Sequence, residues 1–273
     1  MSGSDQKNIG QEIIAKAKEL GADLAGIARV EDLKKSPSHI MSEKMPEFDN
    51  VATKVVKGRK PGIVEWPNGS RSAIVIALAH PAEKPELDWW VLGEKSTAGN
   101  TPGNKLLMET VSKLAEWLEK EKTITCFKLP YHIEHGGIYM KDAAVMAGLG
   151  CIGMNNILVT PEYGPRQRLR IMLINIDLPT SGPVEFDPCA ECDVVCREAC
   201  PVDAFSKTVY TGQEYGLEEL PGRTGVYSRP LCSRQMDEDT ANQKLTMEDD
   251  SETREKVTKF CRECEFSCPV GAS

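Results

Sequence analysis

Apolar positions along the first half of the chain switch between helical and strand-like spacing. They recur at helical spacing over residues 8–20 and are followed by Gly21, which predicts a helix that ends there. Residues 23–30 and 72–79 are short runs rich in branched apolar side chains, typical of buried strands, and we expect both in one sheet. Residues 31–71 carry many charges, several prolines and no sustained period, which predicts loop with one short helix.

The same alternation continues to about residue 180. An amphipathic pattern over residues 106–118 predicts a long helix, and residues 123–129 form a plausible strand after it. Residues 141–147 predict a helix that ends at the glycines of the sequence GLG, and residues 157–160 and 169–178 predict two more strands. Helices and strands that alternate in this way predict an α/β fold.

The periodicity disappears from Thr180 onwards, where proline, glycine and cysteine become frequent. We therefore expect a boundary near residues 179–183, with an α/β domain over residues 1–180 and a cysteine-rich module over residues 181–273. Residues 206–259, between the two cysteine motifs, are polar and are predicted to form a surface excursion.

Composition and the N-terminal sequence indicate the environment in which the protein is expected to work. Of its 273 residues, 40% are hydrophobic and 27% charged, which is ordinary for a globular protein in water. The longest apolar run without glycine, residues 73–79, is far shorter than the about 20 residues that a membrane helix needs, so no membrane segment is predicted. A polar N-terminus without a secretion signal predicts a cytoplasmic protein. The formal net charge of -8 argues against broad binding of phosphate groups.

Ten cysteines in a chain without a secretion signal indicate metal or redox chemistry rather than disulfides. Most of them form two motifs, C-x2-C-x3-C-x3-C-P and C-x2-C-x3-C-P. The first motif contains Cys189, Cys192, Cys196 and Cys200, and the second contains Cys261, Cys264 and Cys268. Three closely spaced thiolates can bind three corners of a four-iron, four-sulfur cluster, so the fourth ligand must come from elsewhere.

In two-cluster ferredoxins the cysteine before the proline binds the other cluster. Applied to this chain, that rule predicts two [4Fe–4S] clusters with crossed ligands. One cluster is held by Cys189, Cys192, Cys196 and Cys268, and the other by Cys200, Cys261, Cys264 and Cys232. The spacing departs from the usual first motif by one residue between Cys192 and Cys196.

Zinc is the alternative for paired C-x2-C motifs, but it needs neither the prolines nor three ligands from each motif. Two cysteines remain outside the motifs. Cys126 lies on an apolar strand, where a small core residue is expected. For Cys151, within AGLGCIGMN, packing is preferred over contact with a cofactor.

Residues 147–179, AGLGCIGMNNILVTPEYGPRQRLRIMLINIDLP, resemble the corrinoid-dependent iron–sulfur reductases, namely epoxyqueuosine reductases and respiratory reductive dehalogenases. The resemblance extends into both cysteine motifs. It implies an α/β domain, an α+β sandwich like that of nitroreductases, followed by a ferredoxin-like module with two clusters. It also implies that cobalamin lies in the first domain and performs the two-electron chemistry.

The resemblance places the cofactor contacts on Gly148, Gly150, Gly153, Met154, Asn155, Tyr163, Gly164 and Arg168. Three glycines would let a planar ring approach the backbone, although without the resemblance a strand and turn packed on a helix is the favoured explanation for them. Arg168 occupies the arginine of the pattern GP-x-x-RL. It shares one strand face with Arg166 and Arg170, which predicts either an anion site or a solvated face.

The family's proton donor, an aspartate in epoxyqueuosine reductases, corresponds to Glu134 in the sequence YHIEHGG. A carboxyl group over an apolar corrin face would lose hydration, which raises its pKa and keeps a proton available. The alternative is a surface glutamate in a polar loop. The other candidates for proton transfer are His132, His135, Tyr139 and Lys141.

The substrate and partners are open at this point. Epoxyqueuosine reductases continue into a helical repeat domain that helps to hold tRNA, whereas this sequence ends at Ser273, so tRNA is expected to be a doubtful partner and a small molecule an alternative substrate. A reduced ferredoxin or flavodoxin is the expected electron donor. Three hypotheses follow: a corrinoid-dependent reductase, an electron-transfer protein that serves a partner enzyme or reactivates a corrinoid protein, and an RNA-modifying reductase.

Overall fold

The structure, a computed structural model, describes residues 3–44, 56–91, 100–247 and 254–271. The strands in these ranges are β1 (Leu24–Arg29), β2 (Ser72–Ala79), β3 (Trp90–Val91), β4 (Cys126–Lys128), β5 (Cys151–Ile152), β6 (Leu158–Val159), β7 (Gln167–Ile174), β8 (Lys244–Met247) and β9 (Arg254–Thr258). The α-helices in these ranges are α1 (Gly3–Glu19), α2 (Val30–Leu33), α3 (Pro37–Lys44), α4 (Pro102–Glu121), α5 (Met140–Met146), α6 (Val195–Glu198), α7 (Gly212–Tyr215), α8 (Arg229–Ala241) and α9 (Glu263–Phe266).

A four-stranded antiparallel sheet with the order β1-β2-β7-β4 forms the centre of the fold. The register places Leu24 opposite Ala77 and Ser72 opposite Ile174. The prediction that residues 23–30 and 72–79 share one sheet is therefore confirmed. Almost every side chain of β2 is buried because helices cover both faces of the sheet.

One face of the sheet packs against α1 and α4. The helical stripe predicted for α1 is buried through Ile13 and Ala17, and α4 contributes its own apolar stripe to the same core. The other face packs against α2 and α5, where small side chains such as Ala143 and Ala144 allow the helix to approach the sheet closely. The result is a three-layer arrangement of helices, sheet and helices.

Element boundaries differ from the predictions where polar residues belong to regular structure. Helix α4 begins at Pro102, four residues before the apolar pattern, because the side chain of Thr101 accepts a hydrogen bond from the backbone N–H of Asn104 at 3.2 Å. Strand β7 begins at Gln167 and includes two arginines, which an apolar run does not reveal. Residues 31–44 contain two short helices rather than one.

The segment between the cysteine motifs is more structured than predicted. Residues 206–259 contain α7, α8, β8 and β9, and β9 pairs with both β8 and β3. Helix α8 buries none of its residues, so hydrophobic periodicity cannot reveal it. Its start is fixed by Ser228, whose side chain accepts from the N–H of Leu231 at 3.5 Å, and by a proline in the first turn.

Mixed α/β content is thus confirmed, whereas the nitroreductase-like and ferredoxin-like descriptions and the boundary near residue 180 stay predictions. Among the helices of the described ranges, none combines the length and the apolar character that crossing a bilayer requires.

Candidate functional site

Four cysteines from the two motifs line a single cavity. We call them the first thiol set: Cys189, Cys192, Cys196 and Cys268. Helix α6 carries Cys196, while Cys268 follows α9, and the two short helices are neighbours. Burial, and then the nearby thiols of the same set, raise the pKa of Cys196 to about 11. This set is the one that the crossed-ligand rule predicts for the first cluster.

The three other motif cysteines form a second group with Cys232, which lies between the motifs. We call them the second thiol set: Cys200, Cys232, Cys261 and Cys264. Burial, then Glu265 and the three other thiols of the set, raise the pKa of Cys264. Helix α8 supplies Cys232, and its Asp239 accepts a hydrogen bond from the backbone N–H of Cys261 at 2.7 Å. This contact ties α8 to the second motif.

Both thiol sets have features that suit iron–sulfur ligation. Backbone N–H groups point at two of the sulfur atoms: the N–H of Val194 lies 3.4 Å from Cys192 Sγ, and that of Ala204 lies 3.3 Å from Cys200 Sγ. Such hydrogen bonds stabilise thiolates and help to set cluster potentials. Within the described ranges no three His, Cys, Asp or Glu side chains are grouped so that they could hold a metal ion. That the thiols bind clusters stays a prediction.

The chain itself covers the glycines that were predicted to face a corrin ring. Gly148 has a φ of +75°, and a Cβ there would lie 2.6 Å from the carbonyl oxygen of Ser181. At Gly150 a Cβ would lie 2.0 Å from the carbonyl oxygen of Val159, and at Gly153 one would lie 2.6 Å from a methyl group of Val159. Close packing of strand and turn therefore already requires these glycines.

Met154 and Asn155 lie beside the first thiol set and line its cavity. Arg197 donates from Nε to the carbonyl oxygen of Met154 at 2.7 Å. Buried Asn155 donates from Nδ2 to the carbonyl oxygen of Cys264 at 3.1 Å and accepts from the N–H of Ile157 at 3.2 Å. The two residues thus connect the loop after α5 to both thiol sets.

Arg166 directly precedes β7, which carries Arg168 and Arg170, and all three side chains have partners within the chain. Arg166 donates to the carbonyl oxygens of Glu265, at 2.9 Å, and of Cys268, at 3.0 Å, and also to that of Val270. Gly164 lies directly against Val270, where a Cβ would clash with the backbone, and Tyr163 packs on the core beneath α5. Residues 163–166 therefore hold the end of the second motif.

Arg168 is paired with two carboxylates within the chain, and its role as a cofactor contact stays a prediction. Its guanidinium lies 2.9 Å from Asp88 Oδ1 and 2.9 Å from Glu265 Oε1. Arg262 completes the network through Asp88 Oδ2 at 2.8 Å and Glu265 Oε2 at 2.8 Å. Buried His80 lies 3.0 Å from Asp88. Burial opposes ionisation of Asp88, but His80 and the two guanidinium groups hold its pKa below the usual value.

This ion network predicts a large loss of stability for Asp88→Asn. The change removes one of the two carboxylates that Arg168 and Arg262 share, so that Glu265 alone must balance both guanidinium groups, of which that of Arg262 is only 7% exposed. Breaking a buried ion pair costs about 3–5 kcal/mol, and partial exposure of Arg168 places the expected loss near the lower end, about 3 kcal/mol. Guanidinium-induced unfolding of the iron-loaded protein measures it. Glu116→Gln, in an exposed pair on α4, is the control and should change nothing measurable. Equal unfolding midpoints for both variants would refute the role of the network.

Glu134 lies in a different cavity from the glycine loop. It lines a cavity together with Ile133 and with residues 59–63, which include Arg59 and Lys60. The interior volume of about 10 Å³ holds about one water molecule, far less than the about 300–1,000 Å³ typical of small-molecule sites. Glu134 is half-buried, faces a basic segment and does not line the cavity beside Met154 and Asn155. Its role as proton donor stays a prediction.

Two of the alternative proton donors have altered acidity. Burial lowers the pKa of Lys141 to about 8, and its Nζ donates to the carbonyl oxygen of Asn156 at 2.5 Å. Burial raises the pKa of Tyr139 to about 12. His132 and His135 are exposed in the same short turn as Glu134. Of these two groups, Lys141 has the pKa nearer to neutrality.

The two remaining cysteines belong to neither thiol set. Cys126 packs against the core between the sheet and α4, as predicted, and burial raises its pKa to about 12. Half-buried Cys151 lies on β5, where burial and then nearby Cys189 of the first thiol set raise its pKa to about 11. Neither thiol is activated as a nucleophile.

Comparison with known proteins gives the family context. No protein-family model matches the chain. The epoxyqueuosine reductase of Bacillus anthracis is 23% identical over 208 residues, which are 74% of this chain and 53% of that protein. A solved structure of epoxyqueuosine reductase with an epoxyqueuosine-modified tRNA-Tyr stem loop aligns with a TM-score of 0.61 and 21% identity, over 97% of this chain and 65% of that one. The chain resembles epoxyqueuosine reductases. A reductive dehalogenase, solved to explain B12-dependent dehalogenation, aligns with a TM-score of 0.59 and 18% identity, over 99% of this chain and 33% of that one.

The predicted family resemblance is confirmed, and the relatives are reductases, as expected for an oxidoreductase. Because the two solved structures are only 21% and 18% identical to this chain, their similarity establishes its fold and nothing further. The chain spans about half the length, 53%, of the Bacillus anthracis relative.

The prediction that tRNA is a doubtful partner was wrong. It used the net charge of -8 and the lack of a repeat domain, yet an epoxyqueuosine reductase that was solved with a tRNA stem loop matches 97% of this chain. The error has a physical cause: net charge is an average over the whole surface, whereas nucleic acid contacts only a local patch.

Proposed function

We propose that this protein is an iron–sulfur reductase of the corrinoid-dependent type and that its substrate is epoxyqueuosine in tRNA. The observation that carries the proposal is that cysteines distant in sequence lie together. Cys268 lines one cavity with three cysteines of the first motif. Cys200 and Cys232 lie near Cys261 and Cys264 of the second motif. The substrate is proposed from the similarity to epoxyqueuosine reductases. The expected electron donor is a reduced ferredoxin or flavodoxin.

The chain's own residues would hold and orient the cofactors. The two thiol sets would ligate two [4Fe–4S] clusters, and the N–H groups of Val194 and Ala204 would stabilise the ligand sulfurs. When bound, clusters supply single electrons and a corrinoid supplies a two-electron reducing centre. Glu134 would deliver the proton that the reduced substrate requires. Asn155 would keep the loop between the thiol sets in place through its hydrogen bond to Cys264.

The fit differs between the two cofactors. The thiol sets suit clusters, but the cavity beside Glu134 has room for about one water molecule and does not enclose a corrinoid. Gly148 and Gly150 are covered by backbone and leave no room for a ring at that loop. We therefore derive no chemical step through a corrinoid. The covered glycines favour a second candidate function, in which the protein passes electrons to a corrinoid that a partner protein holds.

Anaerobic reconstitution with iron and sulfide, followed by cobalamin titration, distinguishes these proposals. About eight iron atoms per chain are expected from two clusters. A base-off absorption spectrum on addition of cobalamin supports the reductase, and its absence at full iron loading supports the second candidate. Conversion of an epoxyqueuosine-containing tRNA stem loop to the queuosine form, with a chemical reductant, tests the substrate. A protein that binds neither iron nor cobalamin would refute both candidates.

A further inference from the structure

A basic turn stands out on an acidic chain. Three of the four residues 57–60 are cationic, namely Lys57, Arg59 and Lys60, and both lysines are exposed. The turn is closed by a hydrogen bond from the N–H of Arg59 to the carbonyl oxygen of Val56 at 3.0 Å, and Gly58 adopts a φ of +85°. It therefore presents its charges from a defined backbone.

The basic turn lies against the loop that contains Glu134. Arg59 and Lys60 line the same cavity as Glu134. Arg59 also lies beside Gly136, where a Cβ would come within 2.8 Å of its guanidinium, and pairs with Glu65 at 2.9 Å. Glu65 thus offsets one of the three charges and leaves the two lysines to act on a ligand.

The adjoining loop exposes a row of rings. Tyr131, His132 and His135 follow one another with ring centroids 5.2 Å and 6.1 Å apart, and the Tyr131 side chain is 51% exposed. The loop is internally fixed, since the N–H of Gly137 donates to the carbonyl oxygen of His132 at 2.9 Å. Arg170 lies 5.0 Å from the Tyr131 ring and supports it from the sheet. Exposed rings beside cations are the combination that proteins use to stack bases and hold phosphates of unpaired RNA.

We propose that residues 57–60 and 131–136 form an RNA-binding face that seats the unpaired loop of a stem-loop RNA beside Glu134. The lysines contact phosphates and the rings stack bases. The inference rests on the proposed function, because it assigns that function's RNA substrate to a surface of this chain. A small neutral substrate would need neither the two lysines nor the ring row.

Salt-dependent binding tests the RNA-binding face. The iron-loaded protein is titrated against a fluorescently labelled RNA stem loop at several salt concentrations, with anisotropy as the readout. Each phosphate contact to a single strand contributes about 0.7 to the slope of log affinity against log salt. Replacing both lysines (Lys57→Gln with Lys60→Gln) should therefore lower the slope by about 1.4 and weaken binding about tenfold near physiological salt. Tyr131→Ala should weaken binding about tenfold with the slope unchanged.

The matched control removes the same charge from the opposite side of the sheet. Lys7→Gln with Lys18→Gln alters two exposed lysines on α1 and should leave both affinity and slope unchanged. Equal losses in both lysine pairs, or no RNA binding by the unaltered protein, would overturn the inference. Reductase activity separates it from the proposed function. RNA binding through this face without turnover would refute the proposed reductase function but not the RNA-binding face. Turnover that does not change in the lysine variants would refute the RNA-binding face but not the proposed function.

Discussion

Replacing Cys232 by Ala is expected to halve the iron content of the reconstituted protein, from about eight to about four atoms per chain. Cys232 is the one member of the second thiol set that lies outside both motifs, and it reaches the set from α8. A four-iron cluster with three thiolates loses a corner ligand, whereas the first thiol set keeps all of its members. Electron transfer through the chain should fall with the missing cluster.

Anaerobic iron and sulfide analysis, together with electron paramagnetic resonance of the reduced protein, measures this loss. Cys151→Ala is the matched control, because Cys151 is also half-buried and lies outside both thiol sets. It should retain all of the iron. A Cys232→Ala protein that still binds about eight iron atoms would show that the second cluster takes its fourth ligand from another residue.

Glu134→Gln is expected to lower kcat by roughly a hundredfold to ten thousandfold on the RNA substrate, the range typical of a lost general acid. Glutamine has nearly the same shape but no transferable proton, so RNA binding and iron content should stay unchanged. Glu134→Asp should retain activity because it keeps the carboxyl group. The measurement is single-turnover conversion of an epoxyqueuosine-containing stem loop, which separates chemistry from product release.

Glu83→Gln, on an exposed turn before the 3-10 helix Pro85–Asp88, provides the control for the loss of one negative charge. If Glu134→Gln reacts as fast as the unaltered protein, the proton comes from another group. Lys141, whose pKa burial lowers to about 8, is then the next residue to replace.

The cysteine groups could be predicted because cluster ligands follow short motifs with recognisable spacing. Two C-x2-C motifs, each with a cysteine before a proline, are enough to suggest crossed ligands, and Cys232 was the only cysteine left in that region. The central strands could be predicted equally well, since β1 and β2 lie in short apolar runs.

Other parts of the site could not be predicted for definite physical reasons. The ion network joins Asp88, Arg168 and Glu265, which are far apart in sequence and carry no pattern of their own. Helix α8 is polar on all sides, so no period marks it. The glycines after α5 were ambiguous, because close approach of the chain to itself requires glycine just as close approach of a ligand does.

Arg166, at the end of the central sheet, donates hydrogen bonds to the carbonyl oxygens of Glu265, Cys268 and Val270, and Gly164 packs against Val270. The second cysteine motif is therefore bound directly to the start of β7 by these contacts. Heating that disrupts the second motif would also break its contacts with the end of the sheet. We therefore expect iron release and melting of the α/β layers to occur in one cooperative transition. A fragment cut near residue 180 is expected to lose the contacts of Arg166 and Gly164 with the second motif.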